Sequence, residues 1–174
     1  MSPLKWFDRK FQFDHEENIF PMILERLQGT PLRLAHKIRN LPAEWLTFRV
    51  DNHWSINENL GHLTDLEPLW QQRLGDILSG EEYLRPADLT NTKTHEANHN
   101  RKPAEHLLEE FSQIRSQTMD MIDHLGEEII FKSSLHPRLK TPMRTMDLFL
   151  FVAEHDDHHL ASMTAIVNHL RKSG

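Results

Sequence analysis

Four stretches of this chain repeat their apolar residues at helical spacing, and polar connections separate them. Such a pattern points to helices packed on helices. In the first stretch, about residues 16–39, Ile19, Ile23, Leu27, Leu34 and Ile38 recur at intervals of four and seven. Pro31 follows Gly29 and Thr30 there, which predicts a kink or a restart capped by Thr30. The second, about 55–78, opens on "WSINENLGHL", where Ser55 and Glu58 have the spacing of a capping box. Ile56, Leu60, Leu63, Leu66, Trp70, Leu74 and Ile77 form its stripe, and Pro68 is expected to bend it. The third, about 103–125, starts at Pro103 and stops at Gly126, with Leu107, Leu108, Phe111, Ile114, Met121 and Ile122 on one face. The fourth, about 145–171, ends in Arg and Lys that complement the helix dipole. No repeat, low-complexity tract or β-rich block is present, and "EEIIFKSSLHPRLKTPMR" reads as loop. The expected fold class is all-α, built on four long helices. The connection "GEEYLRPADLTNTKTHEANHNRK" between helices two and three is long enough for a crossover, so those two helices need not be antiparallel neighbours.

A chain of 174 residues is enough for one domain with its own core, so 1–174 is read as a single domain. Net charge of −6 gives no reason to expect binding to nucleic acid or an anionic membrane. The absence of cysteine excludes disulfides and thiolate metal sites. The N-terminal "MSPLKWFDRKFQFDHEEN" lacks the apolar core of a signal peptide, and no stretch is apolar enough to span a bilayer. A cytoplasmic protein is expected.

Thirteen histidines are many for this length, and two stand out. On a helical wheel of the fourth segment with Leu148 at zero, His155 falls near about 340° and His159 near about 20°, inside the apolar stripe. His158 lies on the shoulder, and Asp157, on the far side, points to solvent. Two rings four residues apart sit one turn apart on one face and would grip one metal ion. The alternative is a pair of core histidines satisfied by neighbours, although burying two polar rings is costly. A third ligand must come from another helix, and His62 on the flank of the second stripe is the best placed. His106 and His124 lie among acidic residues, and His36 lies beside Lys37 and Arg39, as on solvated faces. His95 and His99 are also four apart, but in a connection that would have to turn helical before they could share an ion.

Three neutral histidines and an open position make a zinc-type site, and with no thiolate present zinc, nickel, manganese and iron all remain open. "HDDHH" matches a zincin motif only at its ends, since Asp156 stands where the protease base would be. Glu58, Asp65 and Asp156 are candidate acceptors behind the ligands. Glu58 has a competing reading as the third residue of the capping box.

Taken together, "WSINENLGHL" and the distant "AEHDDHHL" resemble the DinB/YfiT-like superfamily, and the similarity extends from "KWFDRKF" to the last helix. The resemblance implies a four-helix bundle of up-down-down-up topology and a divalent metal, zinc or nickel first. Its ligands would be His62, His155 and His159. It also implies homodimers and a small-molecule substrate. The implied activity is activation of a low-molecular-weight thiol for transfer, or of water for hydrolysis. Within the 84–101 loop, Asn91, His95, Asn98 and His99 are candidate substrate contacts, the alternative being side chains that cap turns. His136 and Arg138 in "HPR" are a candidate anion contact or simply exposed loop. No residue stands out as a general base, so the catalytic residues stay unassigned. A bundle that binds metal or a small ligand without catalysis is the rival reading, and histidines with only a structural role are the third.

Overall fold

The structure is a computed structural model that describes residues 4–173. Met1 to Pro3 of the N-terminal stretch and Gly174 lie outside the described residues. Seven helices are present among the described residues: α1 (Phe20–Ile38), α2 (Ala43–Thr47), α3 (Ile56–Ser79), α4 (Thr92–Glu96), α5 (Ala104–Ile122), α6 (Glu127–Ile130) and α7 (Thr145–Ser173). The four long ones, α1, α3, α5 and α7, form a four-helix bundle, and single 3-10 turns occur at Trp6–Asp8 and His99–Arg101. No helix among the described residues is long and apolar enough to cross a membrane.

Hydrogen-bond partners give the direction of each helix. Asn57 meets Lys102, Glu67 meets Arg115 and Gln71 meets Thr118, so α3 and α5 run parallel. Such neighbours need the long connection that lies between them. Along α7 the partners rise with α1 (Thr30 with Asp156, Lys37 with Thr164) and fall with α3 (Asn59 with His159, Trp70 beside Phe151). α7 is therefore parallel to α1 and antiparallel to α3.

Local chemistry sets the ends and the exceptions. The capping box at Ser55 is formed in both directions, and α3 stops at Gly80 in the left-handed region, φ 77°. Pro31 neither stops nor restarts α1. Proline lacks the N–H that would bond the carbonyl four residues back, which here is Leu27. The Leu27 carbonyl instead accepts from Arg115 Nη1 of α5 at 3.2 Å. Thr30 caps nothing; its hydroxyl lies between Arg26 O and Asp156. The stretch read as loop holds a short antiparallel hairpin, β1 (Ser133–Leu135) with β2 (Pro142–Arg144). Three residues per strand are too few to show a period of two. Asp157, expected to face solvent, is half-buried beneath Arg26 and Arg33 of α1.

The core divides into two apolar clusters. One gathers Ile23, Leu27, Trp70, Leu74, Ile122, Phe149 and Val152. The other gathers Leu34, Leu60, Leu63, Leu107, Phe111, Met163 and Ile166. Between them, at mid-height, each long helix contributes polar residues to one buried layer. Arg115 is its hub. All five of its N–H bonds are used: on Glu67 of α3 at 2.9 and 2.5 Å, on Asp156 of α7 at 2.7 and 3.1 Å, and on the Leu27 carbonyl of α1. Burial works against the guanidinium charge, but Asp156 and Glu67 outweigh it and hold its pKa above the usual arginine value. Replacing Arg115 with Met would strand two buried carboxylates. A loss of about 3–5 kcal/mol is expected in urea denaturation; a loss under about 1 kcal/mol would show that the layer does not hold the helices together.

Candidate metal centre

The other half of the polar layer faces a cavity. His62 from α3 and His155 and His159 from α7 are all buried, and one ring nitrogen of each lies within 4.8 Å of the other two. Among the described residues this is the one group of three or more potential ligands so arranged. The i, i+4 spacing on α7 stacks the two rings, with Nε2 of His155 3.1 Å from Nε2 of His159. Antiparallel packing then brings His62 alongside, its ring 4.8 Å from that of His159 and 5.3 Å from that of His155.

The surrounding hydrogen bonds set the tautomers. Asn59 donates its amide N–H groups to the carbonyls of Trp54 and Ser55, which turns its Oδ1 toward His159 Nδ1 at 2.8 Å. His159 must donate there, so its Nε2 carries the lone pair. The Thr94 hydroxyl donates to Asp65 Oδ2 at 2.9 Å, which leaves its oxygen to accept from His62 Nδ1 at 3.0 Å. The lone pair of His62 is therefore on Nε2 as well. Burial lowers the His62 pKa to about 4, against the pull of Asp65. Burial first, then neighbouring histidines, pushes His155 and His159 well below the usual value. All three rings are neutral at pH 7, the form that ligates metals. Nδ1 of His155 is buried without a hydrogen-bond partner among the described residues. Two outward N–H groups fixed by acceptors, with lone pairs turned inward, match the outer hydrogen bonding of metal-ligating histidines. The 3.1 Å between Nε2 atoms is close to the separation of about 3.3 Å that two nitrogens take on a tetrahedral zinc. The residues present fit a divalent cation.

Aromatic rings enclose the cluster. Trp54 lies 4.6 Å from the His62 ring and stacks over His159 at 6.1 Å, and Trp6 stands edge-on to His155 at 5.0 Å. Beyond them opens a cavity of about 1310 Å³, its rim reaching exposed Lys5, Asp51 and Leu89. That is larger than most small-molecule sites, about 300–1,000 Å³.

The remaining candidates separate. Asp65 reaches His62 only through Thr94. Its oxygens are also taken by His99 Nε2 at 2.8 Å and Lys93, and although burial raises its pKa, the His99 and Thr94 hydrogen bonds hold it below the usual carboxylate value. Glu58 closes the capping box and pairs with Arg49, and Asp156 faces Arg115 and Thr30. Neither carboxylate is hydrogen-bonded to a histidine of the cluster. Asn91 lines the cavity, whereas Asn98 is exposed and bonds the Glu96 carbonyl. The loop does turn helical, as α4, yet His95 stays exposed against Trp54 while His99 is buried on Asp65. Thr94, Asn59 and Trp54 went unread in the sequence. Asn59 lies one turn before His62, a spacing that offers the only linear signal for it.

A model of the DinB superfamily matches residues 26–163. The chain belongs to the DinB superfamily. Among solved structures, YfiT from Bacillus subtilis is similar in fold, with a TM-score of 0.79 at 18% identity over 93% of each chain. YfiT is described as "a probable metal-dependent hydrolase with an unusual four-helix bundle topology". No curated protein matches the sequence.

Gly61 supports the three-histidine cluster. A β-carbon there would overlap the His99 ring, whereas one at Gly75 would meet nothing within 4 Å. Gly61→Ala should therefore cost about 1–3 kcal/mol as His99 is pushed off Asp65. Gly75→Ala should gain about 0.5–1 kcal/mol of helix propensity. Paired thermal melts check the contrast, and equal effects at the two sites would contradict it.

Proposed function

We propose that His62, His155 and His159 hold a divalent metal, zinc or nickel first, and that the protein is a metal-dependent enzyme acting on a small molecule in the adjoining cavity. The observation that carries this reading is the pair of fixed tautomers: Thr94 and Asn59 hold the outer ring N–H groups so that lone pairs turn to one point. When bound, a divalent cation supplies Lewis acidity that favours the deprotonated form of a thiol or a water at its open position.

The chain's own residues do the rest. Trp6 and Trp54 keep bulk water from the rings and offer flat apolar walls to a substrate. His158, half-buried on the cavity wall beside Trp6 and His159, is placed to take or give a proton; burial, then Arg9, holds its pKa below the usual value, so it is neutral at pH 7. Of the carboxylates among the described cavity-lining residues, Asp51 and Asp88 are both exposed at the rim. A thiol brings a proton with a pKa of about 8.5 and needs little help to lose it, unlike water. That difference places transfer of a low-molecular-weight thiol to an electrophile first and hydrolysis second. The fold shared with YfiT supports the hydrolytic alternative. A homodimer, on the family resemblance, and a cytoplasmic location complete the proposal.

After metal loading and dialysis, the wild type should retain about one equivalent and His155→Ala less than about a tenth, with helical circular dichroism unchanged. Full metal in the variant would remove His155 from the ligand set. Thr94→Val should weaken metal binding about 10–100-fold, since it unfastens the His62 tautomer. The loaded protein is then given thiols with an electrophilic dye, and separately a panel of esters. Thiol consumption that His155→Ala lacks supports transfer, and ester turnover alone supports the hydrolase. Inertness to both, with metal bound, would leave a binding module without catalysis.

A further inference from the structure

The far end of the cavity presents a chemical problem of its own. Arg73 of α3 is 2% exposed, yet no carboxylate among the described residues lies within ion-pair distance of it. Asp76, the acid nearest in sequence, is taken by Arg85. Nε of Arg73 donates to the Arg85 carbonyl at 3.1 Å, and its guanidinium lies 5.5 Å from the Trp70 ring. Burying a guanidinium without a counter-charge is costly. Burial, then Arg138 and Arg85 working against the pull of Asp76, lowers its pKa only to about 10, so at pH 7 it stays charged.

His136 compounds the problem. It follows β1 at the start of the hairpin turn, its backbone N–H bonded to Thr141 and its carbonyl to Lys140. The backbone N–H groups of Arg138 and Leu139 both donate to its Nδ1, at 3.2 and 3.1 Å. An imidazole whose Nδ1 accepts must carry its proton on Nε2. That Nε2–H lies 3.4 Å from Nη1 of Arg73, donor against donor, with the ring 3% exposed. Arg138, half-buried on the same cavity wall and also without an ion pair among the described residues, adds a second positive charge. Two guanidiniums and one imidazole N–H line this end of the cavity, and the Arg85 carbonyl on Nε of Arg73 is the one acceptor that the described residues supply to the Arg73–His136 pair.

We propose that Arg73, His136 and Arg138 form a subsite for an oxyanion, a carboxylate or a phosphate, at the end of the cavity away from the three histidines. Trp70 bridges the two ends. Its ring is 5.8 Å from that of His155 and 5.5 Å from the Arg73 guanidinium, which keeps the guanidinium within about 11 Å of the His155 ring. Phe151 lines the same span, 5.8 Å from His136. The substrate class that fits has an anionic group at one end, an apolar or aromatic middle and its reactive atom about one ring's length further on. Use of the subsite as a substrate anchor rests on the metal-centre reading; anion binding itself does not.

Isothermal titration with phenyl phosphate, 3-phenylpropanoate and the neutral 3-phenylpropanol tests it on the full chain. At least one anion should bind saturably and at least tenfold more tightly than the alcohol, and the tighter of the two identifies the anion class. Arg73→Gln and Arg138→Gln should each weaken that binding tenfold or more. Wild type stripped with a chelator, and His155→Ala, should bind the anion within threefold of the loaded protein, so failure of the metal site would leave this result standing. Equal affinity for the alcohol, no saturable anion binding up to several millimolar, or unchanged binding in a folded Arg73→Gln would overturn the subsite. Should Arg73→Gln fail to fold, unchanged binding in Arg138→Gln overturns it alone.

Discussion

One guanidinium sets the register of the bundle. Arg115 projects from α5 and takes acceptors from α3, α7 and the broken backbone ladder of α1. Apolar side chains above and below tolerate small slides, because dispersion contacts are many and non-directional. A buried ion pair tolerates none, because losing one partner leaves a desolvated charge. Asp156 stands next to His155 on α7, and Glu67 lies a little over one turn beyond His62 on α3. The bonds that fix Asp156 and Glu67 to Arg115 therefore fix the heights at which His155 and His62 face each other. Adjacent residues on a helix point about 100° apart. Asp156 thus faces the arginine while His155 faces the cavity.

How much of this could be read from the linear chain follows from what each feature depends on. The helices were visible because a 3.6-residue period is local. Their ends fell within a few residues of the structure where a cap was spelled out, as at Ser55 and Pro103. His155 and His159 were visible because the same period put two polar rings in an apolar stripe. Arg115 was not, since its partners lie 48 and 41 residues away and nothing near "QIRSQ" announces them. Asp157 was misplaced because a wheel locates a residue relative to its own helix, not relative to the arginines of a neighbour. The role of Thr94 depends on α4 folding back against α3, which a one-turn helix of five residues does not advertise. Arg73 did leave a trace. It falls on the stripe of Leu66, Trp70 and Ile77, where an arginine is as unexpected as a histidine.

Pro31 ties these levels together. In a propensity argument it is a defect of about 3 kcal/mol in the middle of a helix. In the folded bundle the carbonyl it frees becomes the third anchor of Arg115. The gap left in α1 is what lets an arginine be buried at mid-height with every donor used. A rule of local structure is broken where a longer-range interaction needs the exposed group.

The two ends of the cavity are incomplete in opposite senses. At the three histidines, the lone pairs of His62 and His159 turn inward because Thr94 and Asn59 already hold their outer N–H groups, so that end lacks an electron-pair acceptor. At Arg73 and His136, Nη1 of one faces the Nε2–H of the other and no oxygen among the described residues answers that pair, so that end lacks an acceptor of hydrogen bonds. Leaving a buried polar group unmatched costs about 1–3 kcal/mol each time, and a charged one more. The bundle tolerates this because the two apolar clusters and the Arg115 layer hold the helices independently of whatever enters the cavity. On the proposed reading, a cation at one end and an anion at the other, on either side of one tryptophan, would each recover the free energy withheld at its own end. On that proposal, a substrate would be selected by the distance between its anionic group and its reactive atom, set by the length of α3 between His62 and Arg73.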